Sequence, residues 1–143
     1  MNGLNSPFSQ KPADKGLSVK KFIPGIAWFF LVLFLLCLPG KDIPSVDDWL
    51  NKIYFDKWIH VGLFAILGFL FMRPFIKSGL TYKQKWHYLV KIALATSIWG
   101  ITTEIIQKYF VPGRSFDWFD WSADSFGALL ALLSFRIWFL KKA

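Results

Sequence analysis

Asp56 and His60 stand four residues apart, and Glu104 and Gln107 three apart. On helices each pair shares one face. Asp117, Asp120 and Asp124 step by three and four, one helical stripe if the helix reaches back to about residue 116. Arg114 follows Pro112-Gly113, a turn signal. These residue types suit acid–base chemistry. A histidine oriented by a neighbouring carboxylate serves as general base or metal ligand, and further carboxylates serve as acid, base or ligand. The planar fork of an arginine holds a phosphate or a carboxylate. Two or three carboxylates with one histidine also suit a divalent cation with oxygen preference, such as Mg²⁺ or Mn²⁺. No serine or cysteine nucleophile motif accompanies them; Ser115, beside Arg114, is a weak candidate.

Plainer roles compete for the same residues. Asp117 and Asp120 suit helix caps, and Arg114 suits a partner for one of them. A lone histidine at an interface more often packs than reacts, but Asp56 one turn before His60 raises the case for function. Glu104 is hardest to assign to structure. It falls near the end of its expected helix, where the helix dipole disfavours an anion, so it calls for Arg114, His60, a metal or a proton to compensate it. His87 sits among lysines and reads as surface. The flanking Trp49, Trp58, Tyr109, Phe110, Phe116, Trp118, Phe119 and Trp121 read first as an interfacial aromatic belt. The alternative is a cleft for sugar or lipid headgroups lined by Trp118 and Trp121.

The segments that must position these groups are hydrophobic. The 143-residue chain is 55% hydrophobic, 20% aromatic and 18% charged, with mean hydropathy +0.40. Soluble domains carry about 25% charged residues, so this is a one-domain integral membrane protein. Four of the nine acidic residues fall between Glu104 and Asp124. Glu104 and Asp124 interrupt otherwise apolar spans, at a cost of roughly 2.5–3.5 kcal/mol each at a helix centre on insertion scales. The net charge of +8 does not indicate nucleic acid, because the positive residues gather at segment ends and form no basic helix. Cys37 is the single cysteine and has no intrachain partner.

The pattern predicts an all-α membrane protein with four transmembrane helices, at about 22–38, 58–72, 88–106 and 122–140. The second reaches a spanning length of about 20 residues if it starts near residue 55, with Phe75 and Ile76 prolonging it past a kink at Pro74. Residues 1–19, rich in Ser, Lys, Pro, Gly and Asn, read as a disordered cytoplasmic tail ahead of the membrane domain, 20–143. No cleavage pattern closes the first span, which reads as uncleaved. Lys11, Lys15, Lys20 and Lys21 precede that span. Arg73, Lys77, Lys83 and Lys85 fill the second connection, and Arg136, Lys141 and Lys142 close the chain. The other two connections hold lysines too, but with Asp42, Asp47, Asp48, Asp56, Asp117 and Asp120. The positive-inside rule then puts both termini in the cytoplasm and two loops outside a cytoplasmic (inner) membrane. Asp47 and Asp48 read as solvated loop residues. The polar candidates all fall at the outer level.

The run Asp56-Lys57-x-x-His60, then Glu104-x-x-Gln107, then Phe110-Val111-Pro112-Gly113-Arg114-Ser115-x-Asp117-x-x-Asp120, then Ala123-Asp124-x-x-Gly127 resembles the VanZ-like family. These are small bacterial membrane proteins named for a member associated with teicoplanin resistance. The resemblance covers about residues 22–140. It implies a polytopic membrane protein of cell-envelope or glycopeptide-resistance biology and implies no particular reaction. The chain departs from the pattern at Asp124, where members often carry Asn; the extra carboxylate would change affinity for a metal or a proton.

Three functions remain open on the sequence. One is an envelope-facing enzyme acting on a lipid-linked or cell-wall substrate. Another is a non-catalytic protein that binds a glycopeptide, an envelope precursor or lipid headgroups. The last is an ion-pair network that only holds helices in register. Small residues such as Gly100, Ala123, Gly127, Ala128 and Ala131 serve close helix packing under all three.

Overall fold

The computed structural model describes residues 17–38 and 54–140, the side chains of 139 and 140 excepted. Most of the amino-terminal tail, the first expected outer loop with Asp42, Asp47, Asp48 and Trp49, and Lys141 and Lys142 lie outside the described residues. Among those described, every regular element is helical. A 3₁₀ turn, Val19–Phe22, leads into α1, Ile23–Leu36. Then come α2, Phe55–Ile76, α3, Tyr82–Phe110, and α4, Trp118–Leu140. A helix thus stands at each of the four expected positions. The segments Val19–Leu36, Phe55–Ile76 and Tyr82–Phe110 are long and apolar enough to cross a membrane. The 23 residues of α4 include Asp120, Asp124 and Arg136.

Local chemistry explains the boundaries. Pro24 sits in the first turn of α1, where its missing N–H costs nothing. Thr81 and Gln84 form a capping box that starts α3 six residues before the expected 88. Lys83, Lys85 and His87 therefore lie on helix, and His87 is exposed as expected. At the other end α3 continues to Phe110, so Glu104 lies well over a turn inside it. The dipole of its own helix end is then a minor effect on Glu104, because that effect fades within the last turn. Pro112-Gly113 make the predicted turn, with Gly113 at φ +79°.

The helices alternate in direction. Trp28 of α1 donates its Nε1–H to the Leu63 carbonyl of α2 (3.0 Å), and Phe22 packs on Phe75, so α1 and α2 run antiparallel. Phe75 stacks on Tyr88, and Trp99 on Phe29 at 4.4 Å between centroids. The closest pair is α2 with α4, which run parallel. Along them His60 meets Asp124, Gly68 meets Ala131, and Phe69 stacks on Phe135. A Cβ at Gly127 would overlap the Val61 carbonyl oxygen and come within 2.9 Å of the Ala65 nitrogen, so the two backbones touch there.

Two apolar clusters hold the bundle. Met72, Phe75, Leu89, Ala131 and Phe135 fill one end, with Leu17 and Phe22 packed against them. Val32, Leu36, Phe64 and Leu67 fill the middle, next to Trp28, Phe29 and Trp99. Beyond Phe64, at the opposite end, the core turns polar: His60, Thr103, Glu104, Gln107, Asp120 and Asp124 are all buried.

Candidate functional site

Three helices supply the polar end. Asp56, Lys57 and His60 come from the first two turns of α2, Glu104 and Gln107 from α3, and Asp117, Asp120 and Asp124 from the start of α4. The α2–α4 backbone contact brings the first and last groups together. His60 Nδ1 lies 2.9 Å from Asp124 Oδ1, and His60 Nε2 lies 3.9 Å from Asp120 Oδ2. A glycine on α3 admits Asp124 from the other side. A Cβ at position 100 would sit 2.8 Å from the Asp124 Cβ, so Gly100 lets that carboxylate lie flat against α3.

Glu104 is fully buried and receives the Asp117 backbone N–H on Oε2 (2.8 Å). That N–H belongs to the cap of α4. Asp117 Oδ1 in turn accepts the Phe119 N–H (2.8 Å), and the Asp117 carbonyl accepts the Trp121 N–H. The amino-terminal end of α4 therefore supplies partial positive charge to Glu104.

Lys57 is the cation of the site. Its Nζ lies 2.6 Å from Asp120 Oδ1, 2.7 Å from Asp117 Oδ2 and 3.0 Å from Asp56 Oδ2. Asp117 lies ahead of α4, and the Lys57 ammonium holds its carboxyl below the usual carboxylate range. Tyr54, Asp56, Lys57, Asp117 and Phe119 line an open cleft of about 820 Å³, which adjoins the buried groups through Lys57 and Asp117.

The geometry corrects three expectations. Asp56 does not orient His60: it is 64% exposed and pairs with Lys57. Asp124 orients the ring instead, because the α2–α4 register sets it opposite. Arg114 forms no salt bridge among the described residues, and its Nε is buried without a hydrogen-bond partner among them. Lys57, facing the first turn of α4, takes the pairing expected of Arg114. Gln107 is buried but turns to α1, donating Nε2–H to the Leu36 carbonyl (2.8 Å) at that helix end. Lys57 had a signal in the sequence, since it stands three residues before His60 and so near its face.

The aromatic residues divide. Trp58, Tyr109, Phe110, Trp118 and Phe119 are exposed, as an interfacial belt requires. Trp121 donates Nε1–H to the Ser97 carbonyl (3.1 Å) and stands edge-on to Trp118.

The buried centre is unusual in its oxygens. One ligating atom each from His60, Glu104 and Asp124 fall within 4.8 Å of one another. Glu104 Oε1 and Asp124 Oδ2 are buried with no hydrogen-bond partner among the described residues. An uncompensated buried carboxylate is costly, and such groups in a membrane protein gather where function needs them.

The family model VanZ/LLP1 matches residues 18–139 of this chain. The chain belongs to the VanZ/LLP1 family. With its three long apolar helices, this VanZ/LLP1 member is a membrane protein. No curated protein and no solved structure matches it. The matched region takes in every residue of the buried cluster, so the cluster lies inside the family domain and not in an appended segment.

Proposed function

We propose that this VanZ/LLP1 protein is an enzyme of the cell envelope acting on a lipid-linked or cell-wall substrate, in the biology that includes glycopeptide resistance. α4 is its fourth span, both termini are cytoplasmic, and it resides in the cytoplasmic membrane. Lys20, Lys21, Arg73 and Lys77 line one cavity of about 320 Å³ at the end away from the cluster. Clustered lysines and arginines there support a cytoplasmic end. The acidic cluster and its cleft then face outward.

The observation that carries the reading is the His60–Asp124 hydrogen bond, buried between helices and linked through Asp120 to Lys57, which lines an open cleft. A carboxylate bound to one ring nitrogen fixes the tautomer and leaves the other nitrogen to take and return a proton. His60 receives the proton of an attacking water or hydroxyl and returns it to the leaving group. Glu104, Asp120 and Asp124 are the remaining acid–base or ligand groups. Lys57 and the amino-terminal end of α4 set the charge of the cleft. Asp56 and Asp117 form its rim, Gln107 ties α3 to α1 beside it, and Arg114 is the adjacent anion-binding candidate.

A second reading, a binding protein for a glycopeptide or envelope precursor, draws support from the aromatic group at the rim. Phe116 and Trp118 stand edge to face at 4.7 Å, with Trp118 exposed for stacking on sugar. His60→Ala and Glu104→Gln separate the readings from each other and from a purely structural network. Cells carrying each variant in place of the wild type are scored for sensitivity to cell-wall antibiotics and for folded protein in the membrane. The enzyme reading expects normal folded protein and lost envelope phenotype for both. Loss of folded protein in both variants would assign the cluster to structure. A retained phenotype with Glu104→Gln but not with Trp118→Ala would favour binding.

A further inference from the structure

We infer that His60, Glu104 and Asp124 form a centre for one divalent transition-metal cation, of the Zn²⁺ or Mn²⁺ kind. This rests on the enzyme reading of the same cluster and changes one role in it: His60 serves as a ligand of the cation instead of as the proton carrier.

Charge balance is the first argument. Among the described residues Asp56, Asp117, Asp120, Glu104 and Asp124 bring five carboxylates into one connected group, against one lysine and one histidine. Lys57 is engaged by the outer three and contacts neither of the inner two. The inner two, Glu104 and Asp124, are fully buried. Among the described residues they share only His60 and the Asp117 N–H as partners. A divalent cation matches the two carboxylates in charge and lets the imidazole ligate in its neutral form.

The free oxygens are the second argument, and they are independent of charge. Each inner carboxylate has one oxygen occupied and one buried without a partner: Glu104 Oε1 and Asp124 Oδ2. Glu104 Oε2 is held by the α4 cap, an outer contact that aims a carboxylate at a metal, and His60 Nδ1, 2.9 Å from Asp124 Oδ1, exchanges that hydrogen bond for the cation while Nε2 faces Asp120. The ligating atoms of the three residues lie within 4.8 Å of one another. Bonds of about 2.0–2.2 Å put ligand atoms about 3–4 Å apart. The centre therefore closes on a cation by side-chain movement of under about 1 Å, without moving a helix.

The donor set narrows the ion. One nitrogen and two carboxylates are too few oxygens for Ca²⁺, which takes six to eight, and imidazole favours the first-row metals over Mg²⁺. Three protein ligands leave further positions open, and Asp117, whose N–H reaches Glu104, lines the cleft. Gly100 belongs to the design as well, because a side chain there would strike Asp124 Oδ2 at 2.9 Å, one of the two free oxygens.

The test uses the full, untagged chain purified in detergent without chelator. Elemental analysis by mass spectrometry should find close to one equivalent of Zn²⁺ or Mn²⁺ in the wild type. It should find under a tenth in Glu104→Gln/Asp124→Asn, whose amides keep the shape of the carboxylates. After treatment with EDTA, adding back Zn²⁺ or Mn²⁺ should raise the thermal midpoint of the wild type and leave that of the double variant unchanged. Should the double variant fail to fold, the add-back titration of the wild type decides alone. A wild type that retains no cation and shows no shift on add-back overturns the centre. So does a double variant that binds as much as the wild type. Metal content is read without any assay of activity, so its outcome is independent of the envelope test of the enzyme reading.

Discussion

His60 of α2 and Asp124 of α4 meet at 2.9 Å across two parallel helices whose backbones touch one turn further along, at Gly127. Neither residue lies on an exposed surface, and each is held from both sides, His60 by Asp120 and Asp124 and Asp124 by Gly100. Under the enzyme reading, a pair positioned this way acts as a unit. His60→Ala and Asp124→Asn should each reduce activity by about 10²–10⁴-fold, the range for loss of a positioned acid–base group. The double variant should be no worse than the more damaging single one. The measurement is envelope sensitivity normalised to folded protein, and additive losses would show that the two residues work separately.

Lys57 should matter for stability although it lies near the surface. Its ammonium serves three carboxylates, and the Asp120 side chain is only 10% exposed. Lys57→Met leaves Asp117 and Asp120 facing each other without a cation. The loss should be about 3 kcal/mol, the low end for breaking a buried pair, seen as a lower thermal midpoint in detergent. Lys57→Met/Asp120→Asn should recover much of the loss, because the remaining charge is removed with its partner.

The helices were legible because apolar runs and basic ends mark them, and the helix ends were legible only in part. Hydropathy starts the third helix near Tyr88, yet Thr81 and Gln84 nucleate it earlier, on polar residues whose long side chains tolerate an interface. The site was legible as a set of residues but not as a set of pairs. Spacing four apart assigned Asp56 to His60, since local spacing is the only geometry a sequence displays. Asp124 wins because Gly68, Gly127 and Ala131 set the register of α2 on α4, a contact between positions more than sixty residues apart. The same register turns Asp56 outward and draws Lys57 inward. The α4 cap beneath Glu104 was hidden for the same reason: the Asp117 N–H reaches it only after α3 and α4 fold back on each other.

Acid should spare the Lys57–Asp117 pair until well below neutrality. The ordinary aspartate value is 3.8, and the hydrogen bond from Lys57 lowers that of Asp117. A group whose folded value is depressed contributes stability that is complete above the unfolded value and lost as pH falls through the folded one. The difference in thermal midpoint between wild type and Asp117→Asn should therefore be constant from about pH 8 to about pH 5 and shrink only as pH drops through 3.8 and lower. A difference that fades between pH 7 and pH 5 would mean that Asp117 is not ion-paired. The Asp117 N–H bond to Glu104 is main-chain, so the substitution leaves it in place.

The α2–α4 contact supplies the sharpest test of how the cluster is built, because two glycines of this bundle differ only in what they face. A methyl group at Gly127 would overlap the Val61 carbonyl, whereas at Gly62 it would meet nothing within 4 Å among the described residues. Both lie on helices, where alanine is favoured over glycine by roughly 1 kcal/mol. Gly62→Ala should thus leave the midpoint unchanged or raise it. Gly127→Ala should lower it by the equivalent of about 1–3 kcal/mol, since backbone must move to admit the methyl group. The overlap lies three residues from Asp124 and one from His60. Forcing the helices apart there should therefore cost envelope activity in the protein that still folds, beyond the loss in folded amount. Equal behaviour of the two variants would show that backbone contact at Gly127 does not set the register on which the cluster depends.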